Sequence, residues 1–569
     1  MRAWRALLLL SIAFSVSGKK KIDCRTKLVN GVYDKTRDEG NNKKPNIVYI
    51  MADDLGWNDV GYVNSKVHTP NINRLKRDGI ELTNSYMQPS CSASRSAFMT
   101  GKYPSNNGLQ LLVVIEESQT CLPLEHKIIH TYMKEAGYVT KQVGKWHLGY
   151  CDEACLPENR NVSEFRGVNT GAVDYFNWTD HGVMQRRVNG APSIANIGTH
   201  LSRQDARDVR EVIMNHKGSP DPLFLWISTT TPHDPLLNTD QMFAVHDFLD
   251  EDDFHQSQRR KYLGLVNAFD KILGVMRRAL KDAELDNNTV ILFTSDNGGA
   301  NQASQFGSHE AYANNYPLRN GKGSYVEGGT HVRTIYFDPR LHEKTRGTER
   351  DFLVHVTDWL PTFVQLSKPG DKTRNFKVPD GDGVSQLANL GSNYLCPRKR
   401  KYNLRKEILI ALSDATTDIF NPSACATEDG AYRFKDWKLV YGEQYYLVDP
   451  DTLDTEWPKP EEWPDLPDIT GDNCHKEVNG TRIVRCLFNL ADDPSEVRNL
   501  YDSHRPIADQ LLKKLVAAKR NAVKNVFQVG LGANDVTTQS FEGYLIPRHD
   551  YCKPTSDYFA LEPIDPTCY

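Results

Sequence analysis

Four short apolar runs in this chain stop abruptly on charged or amide side chains, and that pattern limits the folds open to it. "PNIVYIMADDLGW" carries an unbroken apolar run, Ile47 to Met51, that ends at Asp53 and Asp54. "YVTKQVGKWHLG" ends at Lys145 and His147, "PLFLWISTTTPHDP" runs into His233, and "NTVILFTSDNGG" ends at Asp296 and Asn297. Continuous short apolar runs suit strands covered on both faces, as in a parallel sheet. Helical spacing lies between them, in "EHKIIHTYMKEAGY" with Gly137 as a stop, and in a long charged segment near Gln256 to Leu285. Alternating strands and helices predict an α/β domain with a largely parallel sheet. Ligands of such sheets bind beyond the carboxyl ends of the strands. Four strands that each deliver polar residues just past that end therefore predict one shared site.

The residue types suggest what the site would hold. Asp53, Asp54, Asp296 and Asn297 offer hard oxygen donors, and clustered carboxylates repel one another unless a cation neutralises them. Oxygen-only ligation favours Ca²⁺ or Mg²⁺ over zinc. The "ADDLG" pair taken alone suits a loop or capping role equally well. Arg95, Lys145 and Lys322 supply positive charge for an anion with several oxygens, such as sulfate or phosphate. Tight glycines flank both lysines and restrain the local backbone. His147 and His233 are proton carriers near neutral pH, or structural histidines held by hydrogen bonds.

Cys91 stands among small polar residues in "CSASRSAFMTG", at the start of a short helix ending at Gly101. Its role is that of a disulfide partner, a core thiol or a nucleophile. The chain has 11 cysteines, so at least one is unpaired. The start, "MRAWRALLLLSIAFSVSG", has a basic end, a short apolar run and small residues before Gly18, the pattern of a secretory signal peptide. A mature chain in an oxidising compartment pairs its cysteines. Sequons at Asn161, Asn177, Asn287 and Asn479 fit that route as glycosylation sites. No later apolar stretch is long enough to form a transmembrane anchor. The formal net charge of −4 gives no bulk attraction to nucleic acid.

Beyond about residue 400 the texture changes. "KEILIALSD", "AYRFKDWKLVYG" and "QYYLVDP" read as shorter strands, followed by "CLFNLADDPSEVRNLYD" and a helix from about Ile507 to Asn525. This predicts a smaller α+β region, with a tail that carries Cys552 and Cys568.

Taken together, "PNIVYIMADDLGWNDVGY", "HTPNINRLKRDGIELTNSYMQPSCSASRSAFMTGKYP", "MKEAGYVTKQVGKWHLG", "TSDNGG", "LRNGKGSYVEGG" and "LFNLADDPSEVRNL" resemble the sulfatase family, nearest its arylsulfatase B group of N-acetylgalactosamine-4-sulfatases. The resemblance spans most of residues 45 to 500. It implies an alkaline-phosphatase-like α/β domain with a mostly parallel central sheet, plus a smaller C-terminal α+β domain. It divides the chain into a signal peptide (1–17), an N-terminal extension (18–44), a catalytic domain (45–400) and a C-terminal subdomain and tail (401–569). It implies hydrolysis of sulfate esters of sulfated saccharides or aryl alcohols, in a secreted or lysosomal protein. Cys91 would be converted to formylglycine by a formylglycine-generating enzyme acting on the unfolded chain, and a hydroxyl of the aldehyde hydrate would attack sulfur. Asp53, Asp54, Asp296 and Asn297 would hold Ca²⁺ together with an oxygen of residue 91. Arg95 and His147 would hold and activate the hydrate, Lys145 and Lys322 would bind the sulfate, and His233 would help to protonate the leaving alcohol. Cys121 and Cys155 match family positions that form a disulfide. Leaving out Cys91, ten cysteines remain.

The physical chemistry of the residues agrees, because a thiolate is a poor ligand for Ca²⁺ and an oxygen a good one. Two positions depart from the family. The signature Cys-x-Pro-Ser-Arg has Ala93 in place of proline, which removes a fixed φ and an element the converting enzyme reads. His331 stands where relatives often carry arginine, a change that bears on the substrate pocket or on the local packing. Ala93 leaves open a non-catalytic relative that binds sulfated glycans. A third alternative is a phosphodiesterase or phosphonate hydrolase of the same superfamily.

Overall fold

The computed structural model describes most of residues 43–523, and beyond them two short strands, Ser540–Phe541 and Tyr544–Leu545. The signal peptide, nearly all of the N-terminal extension, "QYYLVDP", Asn479 and Cys24, Cys396, Cys425, Cys552 and Cys568 lie outside the described residues.

The apolar run after Pro45 forms β1 (Asn46–Ala52), buried along its whole length. Successive side chains point to opposite faces of a sheet. Val48, Ile50 and Ala52 therefore join one core, and Ile47, Tyr49 and Met51 another. Ten strands make up this sheet: β1, β2 (Ile80–Leu82), β3 (Val139–Gly144), β4 (Glu164–Val168), β5 (Arg186–Val188), β6 (Ala191–Pro192), β7 (Leu223–Ser228), β8 (Thr289–Ser295), β9 (Thr334–Phe337) and β10 (Thr348–Arg350). Their order is β10-β2-β9-β8-β1-β7-β3-β4-β5-β6. The five central strands, β8 to β4 in that order, run parallel, and antiparallel strands flank them.

Register decides where the strand ends fall. Ala52 pairs with Ser295, Met51 with Ser228, and Ser228 with Gly144. Four strands thus finish level with one another, and the residues just after them share one edge of the sheet.

Helices cover both faces, as both-sided burial requires. α1 (Pro70–Asp78), α4 (Leu201–Met214) and α5 (Phe254–Asp282) pack against the first core. α2 (Cys91–Thr100), α3 (Ile129–Glu135) and α6 (Trp359–Leu366) pack against the second. Helix α5 starts two residues before the expected Gln256, because the Asp253 carboxylate accepts the Gln256 N–H at 2.8 Å. It stops at Asp282, short of Leu285, because Glu284 turns left-handed (φ 63°) and Leu285 N–H donates back to Leu280 O.

A second, antiparallel sheet follows: β11 (Glu407–Leu412), β12 (Gly430–Phe434), β13 (Trp437–Gly442), β14 (His475–Val478) and β15 (Thr481–Asn489), ordered β11-β12-β13-β15-β14. α7 (Arg505–Arg520) lays Ala508 and Leu511 on Leu439 and Leu487. A buried ionic knot ties this sheet to the large one. Lys438 Nζ lies 2.9 Å from both Glu327 Oε1 and Glu496 Oε1, and Glu327 N–H donates to Glu496 Oε2 at 2.6 Å. His331 belongs to this junction. Its ring stacks on Tyr86 with centroids 4.8 Å apart, and Nε2 lies 2.8 Å from Thr83 O. Among the described residues, no helix is long and apolar enough to cross a membrane.

Candidate active site

The aligned strand ends bring three carboxylates and Lys145 together out of solvent, and Arg95 and Lys322 join them from helix α2 and a loop. Asp53 and Asp54 leave β1, and Asp54 adopts a left-handed backbone (φ 66°) that lets its N–H donate to Asp296 Oδ1 at 3.2 Å. Lys145 leaves β3 with its N–H on Ser228 O at 2.5 Å. Gly144 makes that approach possible: its φ is +102°, and a Cβ there would lie 2.0 Å from Ser228 O.

Each cation has a carboxylate. Lys145 Nζ donates to Asp53 Oδ2 at 2.6 Å. Arg95 donates to Asp296 Oδ2 through Nε (3.2 Å) and Nη2 (2.8 Å), while Nη1 reaches Lys145 O at 3.2 Å and the Ser228 hydroxyl. Lys322 Nζ donates to Asp54 Oδ2 at 2.8 Å and lies 3.0 Å from His233 Nε2. Burial alone would raise the Asp53 pKa, but Lys145, His233 and Arg95 hold it below the ordinary carboxylate value. Burial and the Asp53 charge push Asp296 upward. Burial opposes the charge on Lys322, yet Asp54 holds its pKa well above normal. The two lysines expected to bind an anion therefore rest on carboxylates in this structure.

Cys91 opens helix α2, which Gly101 closes in the left-handed conformation. Its Sγ donates to Asp53 Oδ1 at 3.7 Å, and it is the free, buried cysteine of the described set. Burial pushes the thiol up to about 12 despite Lys145 and Lys322. A thiol so protonated at neutral pH is a weak nucleophile, because the thiolate is the attacking form.

His147 sits in left-handed backbone (φ 57°), with its carbonyl accepting the Ser92 hydroxyl at 3.1 Å. Burial, then Lys145 and Arg95, hold its pKa well below normal, so the ring is neutral. Its Nδ1 is buried with no hydrogen-bond partner among the described residues. Gly171 faces the ring, where a Cβ would lie 2.7 Å from Nε2. His233 lies across the cluster, with Nε2 3.6 Å from Asp54 Oδ2.

The donor set suits a hard divalent cation, with two exceptions. Asp53, Asp54, Cys91 and His233 each place a ligand atom within 4.8 Å of the others. Asn297 donates Nδ2 to Asp54 Oδ1 at 2.6 Å and leaves Oδ1 buried without a partner among the described residues. Carboxylate and amide oxygens match Ca²⁺ or Mg²⁺, whereas the Cys91 sulfur and the His233 nitrogen do not.

Away from this cluster, Cys121 and Cys155 are joined by a disulfide, as are Cys474 and Cys486. Asn177 and Asn287 are exposed, whereas Asn161 is half-buried and donates to the Thr131 hydroxyl at 3.0 Å. Two participants escape a reading of the sequence. Ser228, at the end of an apolar run, looks like an ordinary strand residue. Asp234, beside His233 in "PHDP", offers its adjacency as a signal.

Comparison with known proteins places this geometry. The sulfatase family model matches residues 45–368. Mouse arylsulfatase J is 30% identical over 494 residues, covering 84% of this chain and 76% of its own. Human N-acetylgalactosamine-6-sulfatase is 30% identical over 380 residues, covering 62% of this chain and 67% of its own. The crystal structure of Ps i-CgsB in complex with k-i-k-neocarrahexaose superposes with a TM-score of 0.66 at 25% identity, covering 87% of this chain and 97% of that one. The family match, the arylsulfatase relatives and the shared alkaline-phosphatase-like architecture lead to one conclusion: the chain belongs to the sulfatase family and is a sulfuric ester hydrolase.

Proposed function

We propose that the protein cleaves sulfate esters of sulfated saccharides or aryl alcohols, with Cys91 converted to formylglycine and Ca²⁺ held by Asp53, Asp54, Asp296 and Asn297. The observation that carries this reading is the buried Cys91 thiol, 3.7 Å from Asp53 Oδ1, amid hard oxygen donors and three cations. As sulfur it is neither a fit ligand nor, with its pKa near 12, a ready nucleophile. Formylglycine and Ca²⁺ would supply a nucleophilic hydroxyl and a Lewis acid at this position.

The chain's own residues do the rest. Lys145 and Lys322 would offer their ammonium groups to sulfate oxygens, where developing charge needs donors, while Asp53 and Asp54 would hold the cation. Arg95, fixed on Asp296 and Ser228, orients the start of helix α2. Neutral His147 takes a proton from residue 91, and His233 gives one to the leaving alcohol. Burial of the cluster excludes water that would weaken these contacts.

The likeness to the arylsulfatase B group, the chain division at residues 44 and 400, and a secreted or lysosomal destination belong to the same reading. The Cys121–Cys155 disulfide and the exposed sequons at Asn177 and Asn287 support passage through an oxidising compartment. Ala93 speaks for the alternative, a relative that binds sulfated glycans without cleaving them. It sits in the first turn of α2, where backbone N–H groups lack intrahelical partners, so a proline there would break no hydrogen bond of the helix. The departure therefore bears on recognition by a formylglycine-generating enzyme rather than on the finished site.

Mass spectrometry of the Cys91 peptide from native-host protein, with an assay of aryl sulfate hydrolysis, tests the proposal. An aldehyde and sulfate release are expected. Quantitative free thiol with no turnover removes it in favour of glycan binding. A strong preference for a matched phosphodiester assigns the chain to phosphoryl chemistry instead.

A further inference from the structure

The imidazole of His233 is held from one side by the residue after it. His233 Nδ1 lies 2.7 Å from Asp234 O and 3.1 Å from Asp234 Oδ1. Both are acceptors, so Nδ1 carries the hydrogen. The backbone around the ring is fixed too: His233 N–H donates to Thr230 O at 2.9 Å, and the Tyr175 hydroxyl donates to His233 O at 2.9 Å and to Thr230 O at 2.7 Å. With Nδ1 committed, Nε2 alone faces the cluster, 3.0 Å from Lys322 Nζ.

We infer that Asp234 is a positioning residue for sulfate ester cleavage, fixing the His233 tautomer and ring direction so that Nε2 is the nitrogen that protonates the leaving oxygen. The inference rests on the proposed role of His233 as proton donor. As the sulfur–oxygen bond breaks, its electron pair stays on the leaving oxygen, which takes the Nε2 proton. The ring keeps its Nδ1 hydrogen throughout, with Asp234 O and Oδ1 as its acceptors.

The test is a series of substituted phenyl sulfates, from 4-nitro to 4-methoxy, assayed with wild type, Asp234→Asn and Asp234→Ala. A weakly basic phenolate leaves without help, whereas a more basic one needs the proton. Asp234→Ala is expected to lower kcat/KM about tenfold or more for the 4-methoxy ester and by less than about threefold for the 4-nitro ester. Asp234→Asn keeps an acceptor at Oδ1 and falls between. An equal loss across the series, or no loss at all, overturns the inference. A second measurement does not depend on turnover. In ¹⁵N-histidine-labelled protein, the resonance lost in His233→Ala identifies His233, and its shifts report the tautomer. An Nδ1–H form is expected in wild type and at a reduced population in Asp234→Ala, which removes the Oδ1 acceptor but leaves the backbone carbonyl at 2.7 Å. An Nε2–H neutral form in wild type overturns the assignment. Inactivity of wild type on every ester, with the Nδ1–H form intact, strikes the proposed function instead.

Discussion

Lys145 Nζ lies 2.6 Å from Asp53 Oδ2, and neither side chain reaches solvent. A buried pair broken from one side leaves the other charge uncompensated. Lys145→Ala is expected to cost about 3–5 kcal/mol in denaturant unfolding of protein without added metal. The sign with pH follows from the depressed Asp53 pKa. Its contribution is present above the unfolded carboxylate value and is lost as pH falls through the folded one. Without Lys145 that loss begins at higher pH, so acid unfolding of the variant starts earlier. Coincident acid transitions would show that His233 and Arg95 sustain the Asp53 charge without Lys145.

Chelation tests the oxygen cluster directly. A cation bound only to the folded state stabilises it by about 2.7 kcal/mol at a hundredfold excess over its Kd. Prolonged EGTA treatment is expected to lower Tm, and Ca²⁺ to restore it more fully than Zn²⁺. An unchanged Tm with no calcium in the purified protein by elemental analysis would remove the metal from the reading.

Gly171 guards the position of His147. A Cβ 2.7 Å from Nε2 must displace the ring or the loop. Gly171→Ala is expected to cost on the order of 1–3 kcal/mol in stability. A misplacement near 1 Å lowers turnover by about 100-fold. Steady-state kinetics beside thermal melting separate the two effects, and full activity would show that the ring moves without consequence.

Asp205 gives the fold an opposite pH dependence. Burial, and then the neighbouring Asp208, push its carboxyl up to about 8. The folded state keeps a proton that the unfolded state releases, so this contribution is full below the unfolded value near 3.8 and declines until pH passes 8. Asp205→Asn removes the decline. Its Tm is expected to exceed that of wild type near pH 8, with the difference shrinking toward pH 4. A constant difference across that range would place the effect in packing.

Much of the site is legible in the chain because strand ends announce themselves. Asp53, Asp54, Lys145, His233, Asp296 and Asn297 each follow an apolar run, and the register that levels those runs brings them together. Cys91, Arg95 and Lys322 lie on a helix and a loop, where residue type suggests a role but local pattern carries no address, and the motif resemblance supplies it. Contact between distant segments stays hidden. Nothing local foretells that Lys438 sits between Glu327 and Glu496, or that Ser228 anchors Arg95. Helix ends differ from expectation by a few residues because capping by Asp253 and the left turn at Glu284 are single-residue events.

The burial of Cys91 also sets a clock. Once β8 joins β1, the thiol lies under the sheet edge beyond the reach of another enzyme. Any protein that alters it must act earlier, and β8 leaves the ribosome roughly 200 residues after Cys91, on the order of 10–40 s later. A chain whose central strand closes too soon would carry its thiol into the finished fold. Under the proposed conversion of Cys91, synthesis rate and folding order belong among the determinants of how much active enzyme a cell obtains from this sequence.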